Sequence, residues 1–205
     1  MILALPDIPA MAQNNQTVLG FDPLALGLKP ETQGTVNVVV KNVQNLYGIE
    51  FQLAFDPNIL EVVDANAVEE GVQIKPADRW KNGFVAVNKV DNGSGRIDFA
   101  ATLLRPALPA SGDQTIVTIT FAARKTGTSP LSVESAILST RNAEAISFIK
   151  QAGKIGVSPS GNAPNMGANA GSSGPASGRL ALAGAAILAF VAAVGVFIYA
   201  LRSRR

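Results

Sequence analysis

The chain has 205 residues, 17 Lys and Arg against 15 Asp and Glu, and neither Cys nor His. Lacking both, it has no disulfide, no thiolate, and neither the commonest general base nor the commonest zinc ligand. Its net charge of +2 comes from the C-terminal end, where Arg179, Arg202, Arg204 and Arg205 more than account for it. The remainder is slightly acidic with no basic stripe, which argues against nucleic-acid binding.

Residues 1–15 open with MILALPDIPAMA, an apolar run broken by Pro6 and Asp7 and ending in the small-residue motif Ala10-Met11-Ala12. They are read as a flexible N-terminus or the remnant of a signal peptide, outside the fold.

Residues 16–157 read as short strands. The first clear one is 35–41, TVNVVVK. In 48–55 Ile49, Phe51, Leu53 and Phe55 alternate with Gly48, Glu50, Gln52 and Ala54, the period of a strand with one buried and one presented face. Asp56-Pro57-Asn58 turns the chain, since proline presets the turn dihedral and Asp and Asn accept local backbone bonds. Ile59, Leu60, Val62 and Val63 return it to the core, and residues 64–71 are expected to form one helical turn.

Trp80 lies in the polar stretch 76–81, where it either plugs one end of the core or offers an aromatic platform; the plug is preferred. Strands at 83–90 and 96–104 flank Asp91-Asn92-Gly93-Ser94-Gly95, a hairpin turn without the downstream Glu of a calcium loop. Residues 114–123 place Val117, Ile119 and Phe121 on one face and Ile116, Thr118 and Thr120 on the other. Strands at 130–138 and 146–157 complete the set. Strands at this spacing, separated by Gly, Pro and Asn, predict an all-β, antiparallel β-sandwich with jelly-roll topology. The carboxylates Asp56, Glu61, Asp64, Glu69 and Glu70 are assigned to turns and solvated loops rather than to catalysis or metal binding.

Residues 158–179 are rich in Gly, Ser, Asn, Ala and Pro and read as a flexible tether. Residues 180–201 carry no charge. At about 1.5 Å per residue a helix over them reaches roughly 33 Å, against a hydrocarbon layer of about 30 Å. Tyr199 suits the headgroup level, and Arg202, Arg204 and Arg205 favour the cytoplasmic side. The expectation is one transmembrane α-helix with a basic cytoplasmic tail at 202–205 and the folded domain outside. Ala181, Ala185, Ala189 and Ala193 recur at a helix-packing interval, but alanine is abundant throughout that segment and chance accounts for the spacing.

The ordered set of pieces resembles the cohesin domain. The matching residues are Val36-Val38-Val40, Asn42-Val43, Asn45-Leu46-Tyr47-Gly48, Phe55-Asp56-Pro57 and Ile59-Leu60-Glu61-Val62. Gly95-Arg96-Ile97, the strand Ile116-Val117-Thr118-Ile119-Thr120-Phe121 and a closing Gly153-Lys154-Ile155-Gly156-Val157 follow in the same order.

The resemblance implies a sandwich of about nine strands and a non-catalytic module that docks a dockerin-bearing protein through the flat face of one sheet. Any calcium would belong to the dockerin, and no cofactor is expected. Carried over, the docking residues are Gly48, Glu50 and Gln52, then Asp98, Ala100 and Thr102, then Thr118 and Thr120. The expected location is the bacterial cytoplasmic membrane, single-pass through 180–201. Two alternatives stand beside this: a structural accessory subunit of a larger membrane complex, and a carbohydrate-binding module built on Trp80.

Overall fold

Val36, Val38 and Val40 lie inside a 14-residue strand, β3 (Gln33–Leu46), because their branched side chains fit a pleated surface with one face enclosed. The computed structural model describes residues 16–166. Residues 1–15, the later part of the tether, the apolar stretch 180–201 and the basic tail lie outside the described residues. Among the described residues no helix is long and apolar enough to cross a membrane.

Among the described residues, twelve strand segments and one helical turn follow in order. They are β1 (Val18–Asp22), β2 (Ala25–Leu28), β3, β4 (Gly48–Ala54), β5 (Leu60–Val62) and β6 (Lys75–Pro76), then α1 (Asp78–Lys81), β7 (Phe84–Asp91) and β8 (Arg96–Thr102). The last four are β9 (Ala110–Ala123), β10 (Gly127–Ser139), β11 (Ile149–Lys150) and β12 (Gly153–Val157). Two six-stranded sheets result: β11-β1-β3-β9-β5, with β6 also paired to β9, and β2-β12-β10-β4-β8-β7. The expected count of about nine strands therefore rises, partly through two-residue pairings at β6 and β11.

The sandwich is not antiparallel throughout. β1 pairs with β11 and β2 with β12 in parallel, because strands from the two ends of the domain meet at the sheet margins running the same way. The expected helical turn at 64–71 is absent. That segment is a loop fastened by Asp64, whose Oδ1 accepts from the Asn66 and Gln73 amides. The helical turn falls instead at α1, in the stretch read as a polar loop.

Between the sheets Phe51 stacks on Phe99 at 5.2 Å, and Phe55 meets Phe121 edge-on at 5.5 Å, joining one sheet to the other. Trp80 is fully enclosed, the largest side chain in the core. The plug reading holds, and Trp80 supplies no exposed platform for a sugar. Ile116 is also core, contrary to its expected place beside Thr118 and Thr120. A register shift against Val38 and Val39 makes it the extra residue of a bulge, so the alternation changes phase there.

The hairpin turn between β7 and β8 is as expected. Asp91 Oδ1 accepts from the Gly93 and Ser94 amides, and Gly95 at φ 70° lies so close to the Phe55 carbonyl that any Cβ would overlap it. Asn92 spans to the other sheet, its side chain accepting from the Val62 amide at 2.8 Å and donating to the Val62 carbonyl at 2.9 Å. Reciprocal bonds of this kind satisfy both backbone groups of a short strand.

Candidate docking face

The pairing of β4 with β8 sets Gly48 opposite Thr102, Glu50 opposite Ala100 and Gln52 opposite Asp98. With Ile49, Phe51 and Leu53 turned to the core, these six residues share the outer surface of one sheet. Five are partly exposed; Ala100 is 8 % exposed and counts as buried. Its methyl lies on an inner strand between Glu50 of β4 and Val87 of β7, whose longer side chains flank it. Alternation therefore assigned its direction but not its accessibility.

Thr118 and Thr120 do not join them. They lie on β9, in the other sheet, where Thr118 pairs with Asn37 and Thr120 with Thr35. Thr118 Oγ1 donates to Asn37 Oδ1 at 2.7 Å, a cross-strand bond on the opposite outer surface. Period 2 reports which side of its own sheet a residue occupies; it carries no information on which sheet that is.

The same surface includes residues that sequence reasoning missed. From β10 come Ser132, Ser135, Ile137 and Ser139, opposite Ala54, Gln52, Glu50 and Gly48. A bulge at Glu134 breaks their alternation, which hid them. From β7 come Phe84, Val87 and Lys89, opposite Thr102, Ala100 and Asp98, again past a bulge. The face has a charged and amide-bearing centre: Gln52 Nε2 donates to Asp98 Oδ1 at 3.1 Å, and Arg96 Nε meets Asp98 at 2.9 Å. Around it lie Glu50, Lys89, small hydroxyl residues and the half-exposed Phe84.

Beyond β12 the chain narrows this face at one margin. Residues 161–165 pass across the outer side of β2 and β12, over Gly27 and Gly156. A Cβ on Gly27 would overlap the backbone at Gly161–Ala163, and one on Gly156 would fall 3.0 Å from Pro164. Lys154 Nζ donates to the Asn165 carbonyl. The first residues of the segment read as a tether are thus fastened to the domain.

Among the described residues no group of three or more Asp and Glu side chains is placed to hold a metal ion. The acidic run is dispersed: Asp56 accepts from Asn58 in its turn, Glu61 pairs with Arg124, and Asp64 closes its loop.

The family model for the cohesin domain matches residues 25–155. No curated protein matched the chain. Among solved structures, a type II cohesin domain from the cellulosome of Acetivibrio cellulolyticus aligns with TM-score 0.54 at 18 % identity, covering 68 % of this chain and 95 % of that one. A non-cellulosomal cohesin from the hyperthermophilic archaeon Archaeoglobus fulgidus aligns at 0.53 and 14 % identity, covering 70 % and 91 %. A type I cohesin–dockerin complex from Clostridium thermocellum aligns at 0.53 and 16 % identity, covering 69 % and 99 %. These likenesses support the same sandwich, and the family model extends over nearly the whole span from β2 to β12. The chain belongs to the cohesin domain family.

Proposed function

We propose that this chain is a non-catalytic receptor module that docks a dockerin-type partner on the outer face of β7-β8-β4-β10. Cohesins bind dockerins through protein–protein contacts, and the solved complex from Clostridium thermocellum pairs a cohesin with a dockerin. The observation that carries the reading is the convergence of Glu50, Gln52, Asp98, Arg96 and Lys89 on one surface, set there by the pairings of β4 and β7 with β8. An extended sheet face suits docking because its backbone hydrogen bonds are already satisfied and its side chains stand on a rigid base.

The uncharged stretch 180–201 and the arginines after it support anchoring in a bacterial cytoplasmic membrane with the domain outside. Tethering then raises the local concentration of whatever the face holds.

A capture experiment with the full chain, using membrane and secreted fractions with and without a calcium chelator, tests the reading. Chelator-sensitive retention of a dockerin-bearing protein is expected. Retention of integral membrane proteins regardless of chelator would replace docking with the accessory-subunit alternative.

A further inference from the structure

One end of the sandwich is built from α1, the 103–109 loop between β8 and β9, and the turn at 140–145 after β10. Two arginines hold the middle loop in place. Arg79 Nη1 donates to the Leu108 carbonyl at 3.0 Å, while Arg141 donates to the Ala107 carbonyl and lies 4.8 Å over the Tyr47 ring. The loop so held lifts two leucines out of the core: Leu104 is 45 % exposed and Leu108 is 73 % exposed, beside a shallow depression lined by Arg79, Asn82 and Ala107.

Lys81 and Arg105 are exposed on the same elements, which together carry four cations and two exposed leucines. The carboxylates on these elements are Asp78 and Glu144. The opposite end and its flank carry Glu31, Asp56, Glu61, Asp64, Glu69, Glu70 and Asp91 against Lys29, Arg96, Arg124 and Lys125. Charge is therefore sorted along the strand direction, with the exposed leucines at the basic end.

β12 runs from Gly153, opposite Leu131, to Val157, opposite Gly127, and so away from the basic end where β10 finishes at Ser139. A turn at Ser158–Gly161, with Gly161 at φ 71°, reverses it. Residues 161–165 then cross the paired Gly27 and Gly156 and reach the tip of Lys154.

We infer that this end is a lipid-surface contact, its four cations meeting anionic headgroups and Leu104 and Leu108 entering the headgroup–acyl boundary. Cations together with protruding apolar residues match that chemistry: each basic group gains from the negative surface potential, and leucine side chains leave water. The contact surface lies at the end of the sandwich and adjoins the docking face at Phe84, Thr102 and Ser139. The inference shares with the anchoring reading only the requirement that the chain reach a membrane.

The absence of Cys makes the test direct. Leu108→Cys and, at the acidic side, Val68→Cys each accept one fluorescent label in the full chain reconstituted into vesicles. With phosphatidylglycerol present, a spin-labelled lipid should quench the label at 108 and leave the label at 68 untouched. Pure phosphatidylcholine, or the pair Lys81→Glu and Arg105→Glu, should weaken the contact by about fivefold for each charge interaction lost. Equal water exposure at 108 and 68 in anionic vesicles would overturn the inference while leaving the anchor intact. Quenching at 108 indifferent to lipid charge and to the double variant would overturn it too, as would shielding of 108 only when a protein fraction is added. Failure of the chain to sediment with any vesicle would remove the anchor and this contact together.

Discussion

Gln52 and Asp98 meet across the β4–β8 pair at 3.1 Å, and Arg96 meets the same carboxylate at 2.9 Å, so three side chains at the middle of one sheet face are mutually held. Neighbouring polar side chains that restrain one another lose less rotamer freedom when a partner arrives. Glu50, one step along β4, has no such restraint among the described contacts and faces Ala100 and Ile137.

Glu50→Arg should weaken partner capture by about tenfold or more, the scale of a residue that matters in an interface. Thr118→Arg should leave capture unchanged, because Thr118 sits on the other sheet. Titration of the captured partner against both variants checks the pair; an equal loss from each would remove the face assignment.

Asn92→Ala should destabilise the domain by about 1–3 kcal/mol, since both of its bonds to the Val62 backbone disappear and leave a partly buried donor and acceptor. Urea unfolding gives the value. A midpoint equal to that of the parent would show that Val62 finds other partners.

The Asp91 carboxyl is held below its ordinary pKa by the Ser94 hydroxyl and the amides of Ser94 and Gly93, with a smaller contribution from Lys89. The Asp64 carboxyl is likewise lowered, by the Gln73 and Asn66 amides. A folded-state pKa below the unfolded one means that the unfolded chain binds more protons as the medium acidifies. The stabilisation is therefore complete above the ordinary carboxylate range and is lost as pH falls through the lowered values. Unfolding measured down the acid limb should show a shallower decline for Asp91→Asn than for the parent; identical slopes would rule out the contribution.

Gly27→Val should displace residues 161–165, because its side chain occupies the space their backbone fills. Limited proteolysis should then cut that strip earlier than in the parent, while the core melts within about 1–3 kcal/mol of it, the usual cost of local overpacking. An unchanged cleavage time would mean that the strip is not held there.

Trp80→Ala should cost about 3–5 kcal/mol, as for other large aromatic residues cut from a closed core. Trp80→Phe should cost less, since it keeps an aromatic ring in the enclosed site and, among the described residues, the indole Nε1 has no hydrogen-bond partner to lose. Calorimetry on both separates packing from polarity.

Much of this could be read along the chain. Phe51 is legible as core because strict alternation surrounds it, and the 91–95 turn is legible because its Asp, Asn and Gly residues suit a tight reversal. Ile116 and the β10 face are not. Each lies at a bulge, and a bulge is chosen by pairing with a distant strand rather than by the residues around it. Ala100 was misjudged for a related reason: exposure depends on the size of the neighbours across two pairings, Glu50 and Val87.

Local pattern alone determined that this chain makes strands, where most of them turn, and which side of each is greasy, because those follow from nearest-neighbour sterics and a period of two. Assigning Thr118 to one sheet and Asp98 to the other, bringing Arg79 and Arg141 onto one loop, and folding the exit strip over Gly27 needed the three-dimensional arrangement. Each depends on contacts between residues far apart in the chain, and nothing in a short window encodes which distant partner will be met.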